Sequence, residues 1–292
     1  MNRPLPLLLV TGLAFGCNFP LGKLAAEAGV HPALWAAVIC LGAGLTVLVA
    51  SRLFEAPAAA PGVLRYAATS GFISNVVPLT LTFAVIQHIG SGITSVLVAL
   101  SPVVTALLST LLRVRPPGPL GVAGIAVGLG GAVIIILGRN AGFEEGQSHW
   151  LFLAALIPLF LGFGNVYRSM AWPRGAAPMR LGASINLAAV PPLLLVAVAW
   201  GGFDLAPLAR VPWLVAAQMT AATVMYLTFF RLQAVGGPTY LSQIGYVAAA
   251  VGVGIGVAFL GERYPPMVWA GIAVVAAGIA LSTLAQLRTA KG

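Results

Sequence analysis

Apolar residues run through this chain in blocks of about twenty, and the strings that separate the blocks are short and polar. A bilayer core takes roughly 20 consecutive, mostly apolar residues in helical form. Ten segments meet that length, at about 5–25, 32–51, 66–87, 91–112, 119–138, 150–171, 181–200, 211–232, 239–260 and 265–287. The separators are rich in Pro, Gly and charge, for example "RLFEAPAAAPGVLR", "RVRPPGP", "GRNAGFEEGQSH" and "LGERYPP". Only "QHIGSG" divides the third segment from the fourth, which predicts a very tight turn; a nine-span reading would need one very long helix there. The opening "MNRPLPLLLV" resembles a signal sequence, but its apolar run continues past any plausible cleavage site and reads as a retained first span.

Composition sharpens this pattern into a class. Of 292 residues 60% are hydrophobic and 7% charged, where a soluble domain carries about a quarter charged residues. So few charges cannot cover a water-facing surface, and the chain is read as an all-α integral membrane protein. Its net charge of +9 is scattered singly at the ends of apolar runs, which argues topology and no nucleic-acid partner. With the N-terminus in the cytoplasm, eleven Lys and Arg fall inside and four (Lys23, Arg139, Arg210, Arg263) outside, as the positive-inside rule requires. Ten spans with both termini cytoplasmic follow. Cys17 and Cys40 both lie in apolar runs and read as buried, inert thiols.

A shift of 147 residues lays the chain over itself. Asn18 in "FGCNFP" falls on Asn165 in "GFGNVY", and Ser95 in span four falls on Ser242 in span nine. The expected organisation is therefore two five-helix repeats, 1–140 and 148–292. Five is odd, so the second must thread the membrane in the opposite sense. An inverted repeat is the architecture from which alternating access can be built.

The early "G-x-N-F-x-x-x-K" (Gly16, Asn18, Phe19, Lys23), "LSPVVTALLSTLL" in span four and "FLGERYPP" after span nine together resemble the drug/metabolite transporter superfamily, EamA type. That resemblance covers nearly the whole chain. It implies ten transmembrane helices in two inverted repeats and a bacterial inner-membrane exporter, most like those of aromatic and other neutral amino acids. Where the family often has Gly-Glu after span four, this chain has "VRP" with Arg115.

Candidate site residues are the polar side chains that the lipid thickness cannot leave unpaired. A rise of 1.5 Å per residue puts Asn18 about 20 Å along span one, within the hydrocarbon, where it needs internal hydrogen bonds. It either faces a wet cavity or glues two helices together. Intramembrane amides rank above hydroxyls, which can bond their own helix, giving Asn18, Asn75, Asn165, Asn186, Gln218 and Gln243 as substrate-binding candidates. Thr82 joins Asn75 on one helical stripe, and Tyr240 and Tyr246 offer aromatic faces. Gly16, Pro20, Pro78 and Pro102 are hinge candidates. Lys23 reads as an anchor that snorkels to water, with gating as the alternative. The tryptophans near span ends, Trp35, Trp150, Trp172, Trp200 and Trp213, read as interfacial belts.

No Asp or Glu falls inside a span, and every carboxylate is placed in a loop or at a span end. That disfavours a buried carboxylate relay and favours a facilitator, or coupling through a group such as His88. It also favours small neutral, zwitterionic substrates over strongly cationic drugs. No cofactor or metal is expected, since the three histidines are scattered and no catalytic motif is present. The expected partners are small neutral amino acids and the lipid bilayer, with the chain monomeric. The rivals are a sugar-phosphate or drug exchanger of the same superfamily and a passive channel.

Overall fold

The computed structural model describes residues 4–55, 61–112, 118–140 and 148–289, without the side chains of 4, 106, 109, 110, 136, 139, 140, 148, 169, 230, 233–243, 282, 283 and 286–289. Its elements are α1 (Pro4–Glu27), α2 (Pro32–Phe54), α3 (Val63–Gly71), a π turn (Phe72–Val76), α4 (Val77–Ile89), α5 (Ser91–Val98) and α6 (Ser101–Leu111). They continue with α7 (Pro119–Asn140), α8 (Ser148–Met170), α9 (Pro178–Ala199), the short α10 (Ala206–Arg210), α11 (Pro212–Phe259) and α12 (Pro266–Thr289). No strand occurs among the described residues. Five helical runs are by themselves long and apolar enough to cross a bilayer: Leu5–Glu27, Pro32–Phe54, Val63–Ile89, His149–Arg168 and Pro178–Ala199. Shorter apolar helical stretches supplement them, in keeping with a ten-helix membrane protein.

The outward face is that of a protein solvated by hydrocarbon. Along α2, Leu41, Leu45, Val49 and Leu53 repeat every fourth residue and are exposed, whereas Trp35, Ile39, Ala43 and Val47 are buried. Helical periodicity separates a lipid-facing stripe from a packed one. Trp35 is 1% exposed, so it is a core residue and not part of an interfacial belt. Trp200 and Trp213 do remain exposed.

Three elements differ from the expected spans. Span four is broken into α5 and α6 around residues 99 and 100, and Pro102 occupies the start of α6, where a missing N–H costs nothing. Span three carries a π turn in place of a simple kink at Pro78. The Val77 N–H reaches back to Phe72 O, and this wider turn comes just before the residue that has no N–H to give. Spans eight and nine are joined in one helix, α11, of 48 residues. A straight helix of that length would run about 72 Å. Its contacts with α1 show otherwise. Asn18 meets Gln218 and Thr11 meets Thr228, while Gly12 lies against Val247 and Gly16 against Val251. The first limb thus runs antiparallel to α1 and the second parallel, so α11 doubles back between them.

The turn between α4 and α5 is as tight as "QHIGSG" predicts. Gly90 alone makes it, with φ 87°, a conformation that glycine reaches without a Cβ clash. Helices α7 and α12 approach backbone to backbone. A Cβ on Gly131 would lie 3.0 Å from Gly271 O, and one on Gly278 would lie 3.0 Å from Gly124 O and 2.3 Å from Gly128 N. Small residues at such spacing let membrane helices gain van der Waals contact that bulkier ones forbid.

Gly278→Ala should therefore destabilise the bundle by about 1–3 kcal/mol, the usual range for overpacking. Gly130→Ala, where a Cβ would meet nothing within 4 Å, should be neutral. Thermal unfolding of the two purified variants in one detergent separates them, and equal midpoints would refute the packing assignment.

Candidate functional site

Four of the six amides come together as two buried pairs. In the first, Gln218 of α11 donates to Asn18 Oδ1, and Asn18 Nδ2 donates to the carbonyls of Ala14 and Phe15 at 2.9 Å each, beside Met225 Sδ. Asn18 thus glues α1 to α11 while binding its own helix. In the second, Asn75 in the π turn donates to Asn186 Oδ1 of α9 at 3.1 Å and contacts Cys40 Sγ of α2 at 3.7 Å; Asn186 donates to Gly182 O at 2.9 Å. All four side chains are buried. One atom is left over: Gln218 Oε1 is buried with no hydrogen-bond partner. A buried acceptor without a partner costs about 1–3 kcal/mol.

Asn165 of α8 is elsewhere. It donates to Thr105 Oγ1 of α6 at 3.0 Å and accepts from Arg168. Thr82, buried, donates to Pro78 O at 2.7 Å, which serves its own helix. Tyr246 is half-buried against the core cluster that includes Phe19 and Ala248. Gly16 is a contact point with Val251 and the Ala248 carbonyl, and α1 continues through Pro20. Tyr240 and Gln243 lie outside the described side chains. His88 stacks on Trp150 with ring centroids 3.8 Å apart, and Cys17 and Cys40 are free thiols.

Lys23 does not snorkel to water. Its ammonium lies 2.9 Å from Glu262 Oε1, with the two side chains 15% and 4% exposed. Glu262 also accepts from Ser91 N at 2.6 Å, Ser91 Oγ at 2.9 Å, Gly92 N at 3.1 Å and the Tyr264 hydroxyl. The carboxylate caps α5, where free N–H groups and the helix dipole favour negative charge. Its bed is made of glycine: a Cβ at Gly90, Gly92 or Gly256 would fall within 3.0 Å of Glu262 or Tyr264. A pocket of about 180 Å³ opens beside it, lined by Lys23, Gln87, His88, Arg263 and Tyr264 among others. Placing Glu262 in a loop is correct, but the sequence reading missed its burial. The missed signal was the "GSG" opening α5, the glycine-rich approach to a helix start that suits an anion. At the other end Glu55 does a similar service, accepting from Met179 N at 2.8 Å and Arg180 N at 3.0 Å to cap α9.

Burial alone would raise the Glu262 carboxyl; hydrogen bonds from Tyr264, Ser91, Lys23 and Gly92 outweigh it and hold the group below its ordinary 4.5. The depressed carboxylate therefore contributes stability that is present above that ordinary value and is lost as pH falls through its folded value.

Apolar helices facing lipid outside and pairing amides inside make up a multi-pass membrane protein. Residues 3–137 match the EamA-like transporter family, so the first part of the chain carries a domain of that type. It is similar to the "Uncharacterized inner membrane transporter YedA" of Escherichia coli K12, 27% identical over 269 residues, which span 87% of this chain and 82% of that one. The same protein from Escherichia coli O157:H7 matches equally well. A solved structure described as "Crystal structure of protein" shares the fold with a TM-score of 0.62 at 20% identity, covering 94% of this chain and 97% of that one.

Glu262→Gln should cost about 3 kcal/mol, the low end for breaking a buried pair. Lys23→Met added to it should restore part of the loss by removing the stranded ammonium. Melting midpoints across pH check the sign: wild type should lose stability below about pH 4.5, whereas Glu262→Gln should be flat there.

Proposed function

We propose that this protein exports small neutral metabolites, foremost aromatic and other neutral amino acids, across a bacterial inner membrane by alternating access. The observation that carries the reading is Gln218 Oε1, a buried acceptor with no partner beside Asn18. Native interiors seldom keep such a cost without a use for it. An ammonium or hydroxyl of a passing molecule would meet it. The amides around it are uncharged, which suits a substrate of zero net charge.

Alternating access needs two halves that exchange roles, and the glycine contact supports the repeats 1–140 and 148–292. A shift of 147 carries Gly124 onto Gly271 and Gly131 onto Gly278, and it is Gly131 that meets Gly271 and Gly278 that meets Gly124. Such reciprocity is what a two-fold axis imposes on equivalent surfaces. Helices α2 and α9, the second of each half, also pack together. Likeness to the YedA transporter supports the inner membrane, and the eleven-to-four distribution of Lys and Arg supports cytoplasmic termini. Under that orientation the Lys23–Glu262 latch faces outward and acts as a gate, with the chain monomeric and in need of no cofactor.

Gln218→Leu tests the reading. It removes the unpaired acceptor but takes away the donor to Asn18 Oδ1, so the two costs offset and stability in detergent should hold within about 1 kcal/mol, while efflux of phenylalanine from loaded vesicles should fall about tenfold for the lost substrate hydrogen bond. Efflux at the wild-type rate would refute the assignment. Counterflow separates a carrier from a passive channel, because substrate on the far side accelerates uptake only through a carrier.

A further inference from the structure

Three half-buried cations lie among the described residues: Lys23, Arg168 and Arg180. Lys23 is neutralised by Glu262, and Arg180 begins α9 beside Glu55. Arg168 has no such companion. It sits in the last turn of α8, and its guanidinium turns back along the helix to donate to Asn165 Oδ1. Asn165 is itself tied to Thr105, and Thr105 to Ser101 O at 2.7 Å. That chain of bonds fixes the cation inside the bundle. The described carboxylates are engaged elsewhere or remote: Glu262 with Lys23, Glu55 with α9, Asp204 with Ala206 N, and Glu27 at the opposite end of the helices.

The surroundings are polar and neutral. Tyr66 and Tyr226 both lie within electrostatic reach of the guanidinium. Tyr66, 3% exposed, stacks on Tyr167 with centroids 5.9 Å apart. Its hydroxyl approaches that of Ser70 without meeting hydrogen-bond geometry, and both are buried and unsatisfied. Ser74, in the π turn, packs against Gly164 one turn before Arg168, and its hydroxyl is likewise buried without a partner. A guanidinium carries five N–H donors in a planar fork, and desolvating it without a counter-charge costs several kcal/mol. A planar oxyanion gripped at two points is its natural complement.

We propose that Arg168, with the hydroxyls of Tyr66 and Ser74, forms a docking site for the carboxylate of the transported molecule, separate from the amide site around Gln218. Tyr226, within electrostatic reach of Arg168, stands eight residues from Gln218, about 12 Å along the helix. The two charged groups of one amino acid cannot span that distance, so the sites act in succession. Under the orientation proposed above, the Arg168 end opens to the cytoplasm, where an exporter loads. This inference deepens the amino-acid reading and rests on it for its place in transport, but the carboxylate site is measurable without transport.

Three probes separate the possibilities: phenylalanine, 3-phenylpropanoate, which has only the carboxylate, and phenylalaninamide, which has only the ammonium. Purified wild-type protein should be stabilised against heat by 3-phenylpropanoate and not by the amide. Arg168→Gln should weaken that response about ten- to a hundredfold, as expected for hydrogen bonds to a charged group, and Arg168→Lys should retain an intermediate part. In vesicles, Arg168→Gln should raise the KM for phenylalanine by a similar factor with a smaller effect on the maximal rate. An undiminished carboxylate response in Arg168→Gln, or an equal response of wild type to the amide, overturns the site. Should Arg168→Gln fail to fold, an Arg168→Lys protein with full wild-type affinity for the carboxylate overturns it as well. Carboxylate binding that needs Arg168 in a protein that exports no neutral amino acid would sustain this site and sink the amino-acid reading. Normal phenylalanine export by Arg168→Gln would do the reverse.

Discussion

Hydrocarbon offers no hydrogen bonds, so every polar group in this chain must find its partner inside the bundle. The backbone meets that demand by being helical almost throughout. The side chains meet it by pairing. Asn18 with Gln218, and Asn75 with Asn186, each satisfy one amide with another across two helices. Glu262 is held by five donors drawn from α1, α5 and its own loop. The demand is not met at Gln218 Oε1, Trp35 Nε1, Thr80 Oγ1 or the hydroxyls of Tyr66, Ser70 and Ser74, and there the structure keeps a cost. The same constraint explains the glycines, since helices without a hydrophobic drive to associate must gain contact by close approach.

How far the chain discloses this in one dimension depends on the range of the interaction. Span positions are legible because twenty apolar residues must stand together to cross a membrane, and the bounds of α2, α7 and α12 fall close to the blocks read from the sequence. The Gly90 turn is legible because two spans with almost nothing between them leave one solution. Asn18, Asn75, Asn186 and Gln218 are legible as residues that need partners. Which partner each takes is not, because those choices join positions 111 or 200 residues apart.

Other features escape for physical reasons of their own. Nothing in the hydropathy of Lys23 or Glu262 says that they meet, and each alone looks like an ordinary interfacial charge. Trp35 looks like a belt residue by its place near a span end, yet its ring fills the core between α2 and its neighbours. The π turn is invisible because its cause, a proline just beyond it, is equally compatible with a plain kink. The division of α11 into two limbs is legible as two apolar blocks, 211–232 and 239–260, but the unbroken helical backbone that joins them is not.

The latch belongs to one end of the molecule only. A shift of 147 carries Lys23 onto Met170, Glu262 onto Arg115 and Ser91 onto Pro238. The mirrored set has no acid to accept, no lysine to pair and no N–H at the capped position. If the two proposed repeats close the two ends in turn, this pairing strengthens the Lys23–Glu262 end alone, while Glu55 caps α9 at the other without a lysine partner. On the alternating-access reading proposed above, the carrier rests with the Lys23–Glu262 end shut and the Arg168 end free to receive substrate. Opening the latch must then draw on the binding of the load, because a ligand moves a two-state equilibrium only by the difference in its affinity for the two states. A direction of transport can thus be biased in the fold even though no carboxylate lies within a span to couple it to protons.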